Sequence, residues 1–189
     1  MSRTPQAILI LSMLAGSWLG MQAVHELGHV LGALMTGGRV ARVVLHPTTI
    51  SRTELVTNPS PLIVVWGGPV FGALAPLLLW LLAAALHMRG AYVLRFFAGF
   101  CLIANGLYIA VGSFDGVGDC GEMLRHGSQR WQLWLFGAAT TPFGFWLWHG
   151  QGPHFGFAPA NGQVDRGVAY ATLISCFILV AIGVSTGGS

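Results

Sequence analysis

Residues 19–35 read LGMQAVHELGHVLGALM, with two histidines and a glutamate inside a run that is otherwise almost wholly apolar. Everything else about the chain turns on what surrounds such a run. If it lies in lipid, each charged residue costs on the order of 2.5–3.5 kcal/mol, and less near an interface. Residues so expensive need a chemical reason to be there.

The composition puts this run in a membrane. Of 189 residues, 54% are hydrophobic and only 8% are charged, against about 25% charged in an ordinary soluble domain. So few charges cannot clothe a globular surface, and most of the surface is expected to face lipid. The net charge of +3 comes from nine arginines without a lysine. They are too few and too scattered for a nucleic-acid surface. Three widely spaced cysteines, Cys101, Cys120 and Cys176, give neither a disulfide framework nor a CxxC zinc pattern. There is no internal repeat and no low-complexity tract.

A spanning helix needs about 20 mainly apolar residues. Five stretches qualify: Gln6 to Met35, Pro61 to Met88, Ala91 to Ser113, Trp131 to His149, and Gly167 to Thr186. The start of the chain also has the outline of a secretory signal peptide. Its cleavage signature is poor and further spans follow, so it is read as the first span. Trp131 and Trp134 at one end of the fourth stretch, with Trp146 and Trp148 at the other, suit aromatic anchors at two interfaces. Pro69 and Pro76 are expected to bend the second helix.

Between the first two spans, β-branched runs at Arg39 to Leu45 and Thr49 to Val56 flank His46-Pro47. They predict a hairpin beside the membrane. The fold class is therefore an all-α polytopic membrane protein, with about five transmembrane helices and a small membrane-adjacent β-hairpin between the first two. The expected organisation is one integral membrane domain over 1–189. Within it lie a three-helix core over 1–124, carrying the hairpin at 39–56, and two further helices over 125–189. No appended soluble domain is expected. The segment GQGPHFGFAPANGQ reads as a flexible connecting loop.

Counting spans assigns sides. His25 lies about 27 Å along the first helix from Ala7, near the interface opposite the chain's start. The hairpin and the polar segment SFDGVGDCGEMLRHGSQR fall at that same end. Arg39, Arg42, Arg52, Arg125 and Arg130 lie there too, which weakly favours it as the cytoplasmic side. His149 and His154 fall at the other end.

Residues four apart on a helix share a face, so His25 and His29 can offer two imidazoles to one metal ion. Glu26, turned about 100° away, can reach a water at the metal without being a ligand, and so act as general base. The alternative is a polar packing cluster between helices. A catalytic zinc usually has three protein ligands and an open position. Asp115 and Asp119 are the best-placed candidates for the third, with His46 and His126 as further ones. Asp119 also suits a helix N-cap, with Glu122 three residues on.

These residues resemble the site-2 proteases, a family of intramembrane zinc metalloproteases. HELGH matches the family's HExxH, and GGPVFGAL at 67–74 resembles its small-residue GPxxN segment. Two registers resemble its LDGG segment: FDG at Asp115, and GDCGEML at Asp119, with Gly121, Met123 and Leu124 in step. The second is preferred. The likeness covers the chain through about residue 124. It implies one Zn2+ held by His25, His29 and Asp119, with Glu26 catalytic. It also implies a transmembrane protein as substrate, held in the lipid bilayer as a strand added to the hairpin edge.

The sequence departs from the family in two places. Gly72 stands where the family has asparagine, and Asn105 precedes the aspartate at an unusual distance and without the family's proline. Asn105 reads either as a hydrogen-bonding partner of substrate or oxyanion or as an interhelical contact. Gly68, beside Gly67 and Pro69, reads either as close helix packing or as backbone exposed to substrate. Cys120 adjoins the preferred ligand and reads as an incidental small residue rather than a thiolate. The rival to a protease is a non-catalytic metal-binding scaffold, for which Glu26 is dispensable. A metal transporter is disfavoured because the ionisable residues gather at one end rather than through the membrane's depth.

Overall fold

The computed structural model describes residues 3–48 and 50–187. Thr49, the start of the second β-branched run, lies outside the described residues. The chain forms α1 (Thr4–Met35), β1 (Arg39–Val44), β2 (Arg52–Thr57), α2 (Pro61–Ala85), α3 (Ala91–Asp115), α4 (Asp119–Arg125), α5 (Arg130–Trp148) and α6 (Arg166–Gly187). β1 and β2 pair antiparallel as the expected hairpin, with a register shift around Ala41. The protein is an integral membrane protein: α1, α2, α3 and α6 are each long and apolar enough to cross a bilayer.

The fourth expected span behaves differently. It is a helix of 19 residues, α5, but Gln132, Thr140, Thr141 and four tryptophans make it less apolar than the other four. It nevertheless runs between the two ends of the bundle. α3 ends beside the hairpin, whereas α6 begins beside the N-terminus, with Ser12 of α1 bonded to Thr172 (2.9 Å). α6 then finishes against the hairpin, where Thr186 donates to the Leu45 carbonyl (3.0 Å). α5 carries the chain back from one end to the other along α3. Only part of the expected tryptophan anchoring faces outward. Trp131, Trp134 and Trp146 are exposed, Trp134 while donating to Ser113 (2.9 Å); Trp148 is half-buried and donates to the Phe96 carbonyl (2.9 Å).

Glycines set the close approaches. A Cβ on Gly28 would stand 2.2 Å from the Gly67 carbonyl oxygen, and one on Gly67 would stand 2.6 Å from that of Gly28. α1 and α2 therefore touch backbone to backbone at the HELGH turn. α2 runs unbroken through Pro69 and Pro76, so Gly67 and Gly68 serve close packing rather than a break.

α4 is too short to be stable alone and is held by its apolar face. Cys120 and Met123 are fully buried against Val65 of α2, Ile109 of α3 and Leu133 of α5. Gly116, in the left-handed region at φ 63°, ends α3 and lets the chain turn into α4.

The segment expected to be a flexible loop is folded. A 3-10 turn at Gly152–Phe155 buries Phe155 against Leu9 and Met13. The Phe155 carbonyl accepts from Gln6 (3.0 Å), and His154 stacks on Tyr92 at 4.6 Å. Two aromatic rings give a glycine-rich stretch enough apolar area to dock.

Candidate metal centre

Burial on α1 follows helical spacing. His25, Glu26 and His29 are 7%, 3% and 7% exposed. Both imidazoles have their orientation fixed from behind. His25 Nδ1 lies 2.6 Å from Asn105 Oδ1 on α3, and Asn105 Nδ2 donates to the Cys101 carbonyl (2.8 Å). His29 Nδ1 lies 2.8 Å from the Val64 carbonyl of α2. A carbonyl oxygen only accepts, so each Nδ1 carries the proton and each Nε2 presents a lone pair.

The two lone pairs converge, with the Nε2 atoms 3.1 Å apart. Oδ2 of Asp119 completes the group, 2.8 Å from His25 Nε2 and 3.4 Å from His29 Nε2. Three electron-pair donors thus face one another, which is repulsive unless a cation or proton sits among them. A tetrahedral zinc with bonds of about 2.0–2.1 Å spaces its ligand atoms about 3.3 Å apart, close to the distances found. The residues present fit that ion.

The competing candidates stand elsewhere. Asp115 is exposed at the end of α3, and among the described residues only His25, His29 and Asp119 form such a cluster. Gly118, not Asp119, occupies the N-cap position of α4, which frees the Asp119 carboxylate to turn inward. His46 is bonded within its own turn to Thr48, and His126 lies 3.4 Å from Glu122. The Cys120 thiol donates to the Tyr108 carbonyl (3.3 Å), and burial pushes it up to about 11. It is no thiolate at neutral pH.

Gly68 lies against the imidazoles. A Cβ there would fall 2.4 Å from His29 Nε2 and 2.7 Å from His25 Nε2. Asn105 is 1% exposed and makes the interhelical contact that was one of its two sequence readings.

A cavity of about 660 Å³ opens at the centre. One face of α1 lines it, from Trp18 through Met21, Gln22 and His25 to His29, together with Val65 of α2, Tyr108 of α3 and Asp119. Below it α1 and α3 close on each other, where a Cβ on Gly20 would meet the Phe97 ring at 3.1 Å. The hairpin contributes Ile50, Ser51, Arg52, Thr53 and Leu55; among the described residues β1 contributes none. The outer face of the hairpin holds Glu54 between Arg42 (2.7 Å) and Arg52 (2.9 Å), which lower its carboxyl to about 2.

Two contacts escaped the sequence reading. Ser51 and Thr53 each donate a hydroxyl to Glu26, to Oε1 and Oε2 respectively, both at 2.7 Å. Gln22 accepts from the Ser51 amide (3.2 Å). The available signal was Gln22 itself, a polar residue one turn before Glu26 on the same helix face. Tyr108 was also missed; its hydroxyl accepts from the Asp119 amide (3.1 Å).

A family model described as Peptidase M50B-like matches residues 10–112. That span contains HELGH, the hairpin, α2 and most of α3, and it stops before Asp119. No curated protein and no solved structure matches.

Proposed function

The chain belongs to the Peptidase M50B-like family, and on that premise we propose that it is an intramembrane zinc metalloprotease hydrolysing a peptide bond of a transmembrane protein at or within the bilayer. The observation that carries this reading is the meeting of His25, His29 and Asp119 beside the buried Glu26, on the wall of one cavity. His25, His29 and Asp119 would hold a single Zn2+. When bound, zinc supplies Lewis acidity to the scissile carbonyl and lowers the pKa of the attacking water.

The chain's own residues do the rest. Glu26 takes the proton of the attacking water and delivers it to the leaving amine. Val64 and Asn105 keep both Nδ1 atoms protonated, so that both Nε2 atoms stay available. Carbonyls of a helical segment are already hydrogen-bonded, so the substrate unwinds before attack. Main-chain pairing along β2, which alone of the two strands borders the cavity, would hold it extended. Trp18, Met21 and Leu55 offer an apolar wall to its side chains.

A scaffold that keeps metal without hydrolysis would need the histidines but not Glu26. The position of Glu26 favours hydrolysis: its buried carboxylate is held on the same cavity wall by Ser51 and Thr53, and a metal scaffold has no need of a carboxylate placed there.

The test uses detergent-purified wild type and Glu26→Gln, each assayed for zinc and then incubated with solubilised host membranes, whose new peptide termini are mapped by mass spectrometry. About one zinc per chain in both proteins, with new termini produced only by wild type, is the expected result. Equal cleavage by Glu26→Gln would sink the mechanism. Zinc in both without cleavage by either would favour the scaffold.

A further inference from the structure

Asn105 stands 80 residues from His25 in sequence, yet its Oδ1 lies 2.6 Å from His25 Nδ1. Its amide cannot be turned the other way, because Nδ2 is committed as donor to the Cys101 carbonyl at 2.8 Å. The acceptor is therefore aimed at His25 by α3's own backbone. The amide also needs room between α2 and α3, and Gly72 provides it. A Cβ at position 72 would lie 2.9 Å from both Oδ1 and Nδ2 of Asn105 and 3.2 Å from its Cγ. Any side chain on that residue would push the amide off the imidazole.

We infer that Asn105 is the positioning residue of the metal centre: it fixes the His25 ring in its Nδ1–H form, and it does so from α3 in a space that α2 leaves open by carrying glycine at position 72. The inference rests on the metal reading of the site. It assigns Asn105 an action through His25 rather than contact with substrate, and it makes Gly72 a requirement of metal affinity. The hydrogen bond raises the basicity of Nε2 and removes the ring's freedom to flip. Of the two histidines, only His25 depends on a side chain for this; His29 uses the Val64 carbonyl, which no substitution removes.

The two bonds of Asn105 separate a positioning role from a merely structural one. Asn105→Asp keeps an oxygen facing His25 but cannot donate to Cys101. Asn105→Ala loses both bonds. Gly72→Ala leaves both residues of the pair intact and only displaces the amide.

The experiment strips the full-length protein with chelator in detergent. Zn2+ affinity is then measured by competition with a fluorescent chelator, and the d–d spectrum is recorded after Co2+ loading. Asn105→Ala and Gly72→Ala are expected to weaken zinc by roughly 10–100-fold and to alter the cobalt spectrum. Asn105→Asp is expected to bind at least as tightly as wild type with an unaltered spectrum. Thermal unfolding of the metal-free proteins identifies any variant that fails to fold, and Asn105→Asp against wild type then carries the comparison. Wild-type zinc affinity in Asn105→Ala, or loss in Asn105→Asp equal to that in Asn105→Ala, overturns the inference while leaving the metal site standing. Failure of wild type itself to bind zinc or cobalt overturns both.

Discussion

At Gly68 a single hydrogen in place of a side chain decides whether two imidazoles can converge. With a Cβ at 2.4 Å from His29 Nε2 and 2.7 Å from His25 Nε2, a methyl group would occupy the volume where the lone pairs meet. Backbone stands behind Gly68 and gives it no room to retreat, since Gly67 already touches Gly28. Gly68→Ala is expected to lose zinc, with affinity falling at least ~10-fold; the assay is metal content after dialysis against a weak chelator. Retention of one zinc per chain would show that the helices give way. Glu26 is the opposite case, since Gln has nearly the same shape. Glu26→Gln is expected to keep the metal and lose at least ~100-fold in cleavage rate, read from initial rates at equal zinc loading.

The hairpin works as an element through the alternation of its strand. Along β2, Thr53 and Leu55 line the cavity, while Glu54 is turned away from it between Arg42 and Arg52, the latter also bordering the cavity. Thr53, with Ser51 just before the strand, ties the Glu26 carboxylate to the edge along which substrate is proposed to lie. Removing both hydroxyls, in Ser51→Ala/Thr53→Val, is expected to leave zinc content unchanged and lower kcat by roughly tenfold, the scale of one or two misplaced hydrogen bonds to a charged group. Unchanged kcat would mean that helix α1 alone orients Glu26. The α1–α2 crossing is the second element-level device. Gly67→Ala brings a Cβ to 2.6 Å from the Gly28 carbonyl oxygen and is expected to lower the thermal midpoint of the metal-free protein; an unchanged midpoint would show that the crossing has slack.

Across the whole molecule, α5 makes the return that brings α6 back to the starting end. The consequence is measurable as sidedness. Cysteines introduced by Arg39→Cys and His126→Cys are expected to react with an impermeant maleimide from one face of sealed vesicles, and one introduced by Asn161→Cys from the other. Labelling of all three from one face would mean that α5 does not cross. The same architecture keeps the His25, His29 and Asp119 cluster and the hairpin at one end, and the docked turn at Gly152–Phe155 at the other.

Composition and short-range spacing by themselves determined the class of the protein, its helices, the hairpin and the pairing of His25 with His29. These follow from the free energy of apolar surface in lipid and from the period of one helix, neither of which needs the rest of the fold. The apolar signal is weaker at α5 because Thr140 and Thr141 lie against Gly106 of α3, while Trp134 and Trp148 bond to Ser113 and Phe96 of the same helix. Only the tertiary structure decided that Asp119 rather than Asp115 meets the histidines, since that depends on α4 burying Cys120 and Met123 among three other helices. It alone paired Asn105 with His25 across Gly72, and Ser51 and Thr53 with Glu26. The bonds from His25 to Asp119 and Asn105 join residues 94 and 80 positions apart. No local pattern encodes them, because their geometry is set by how closely glycine-lined helices pack, and that is a property of the assembled bundle.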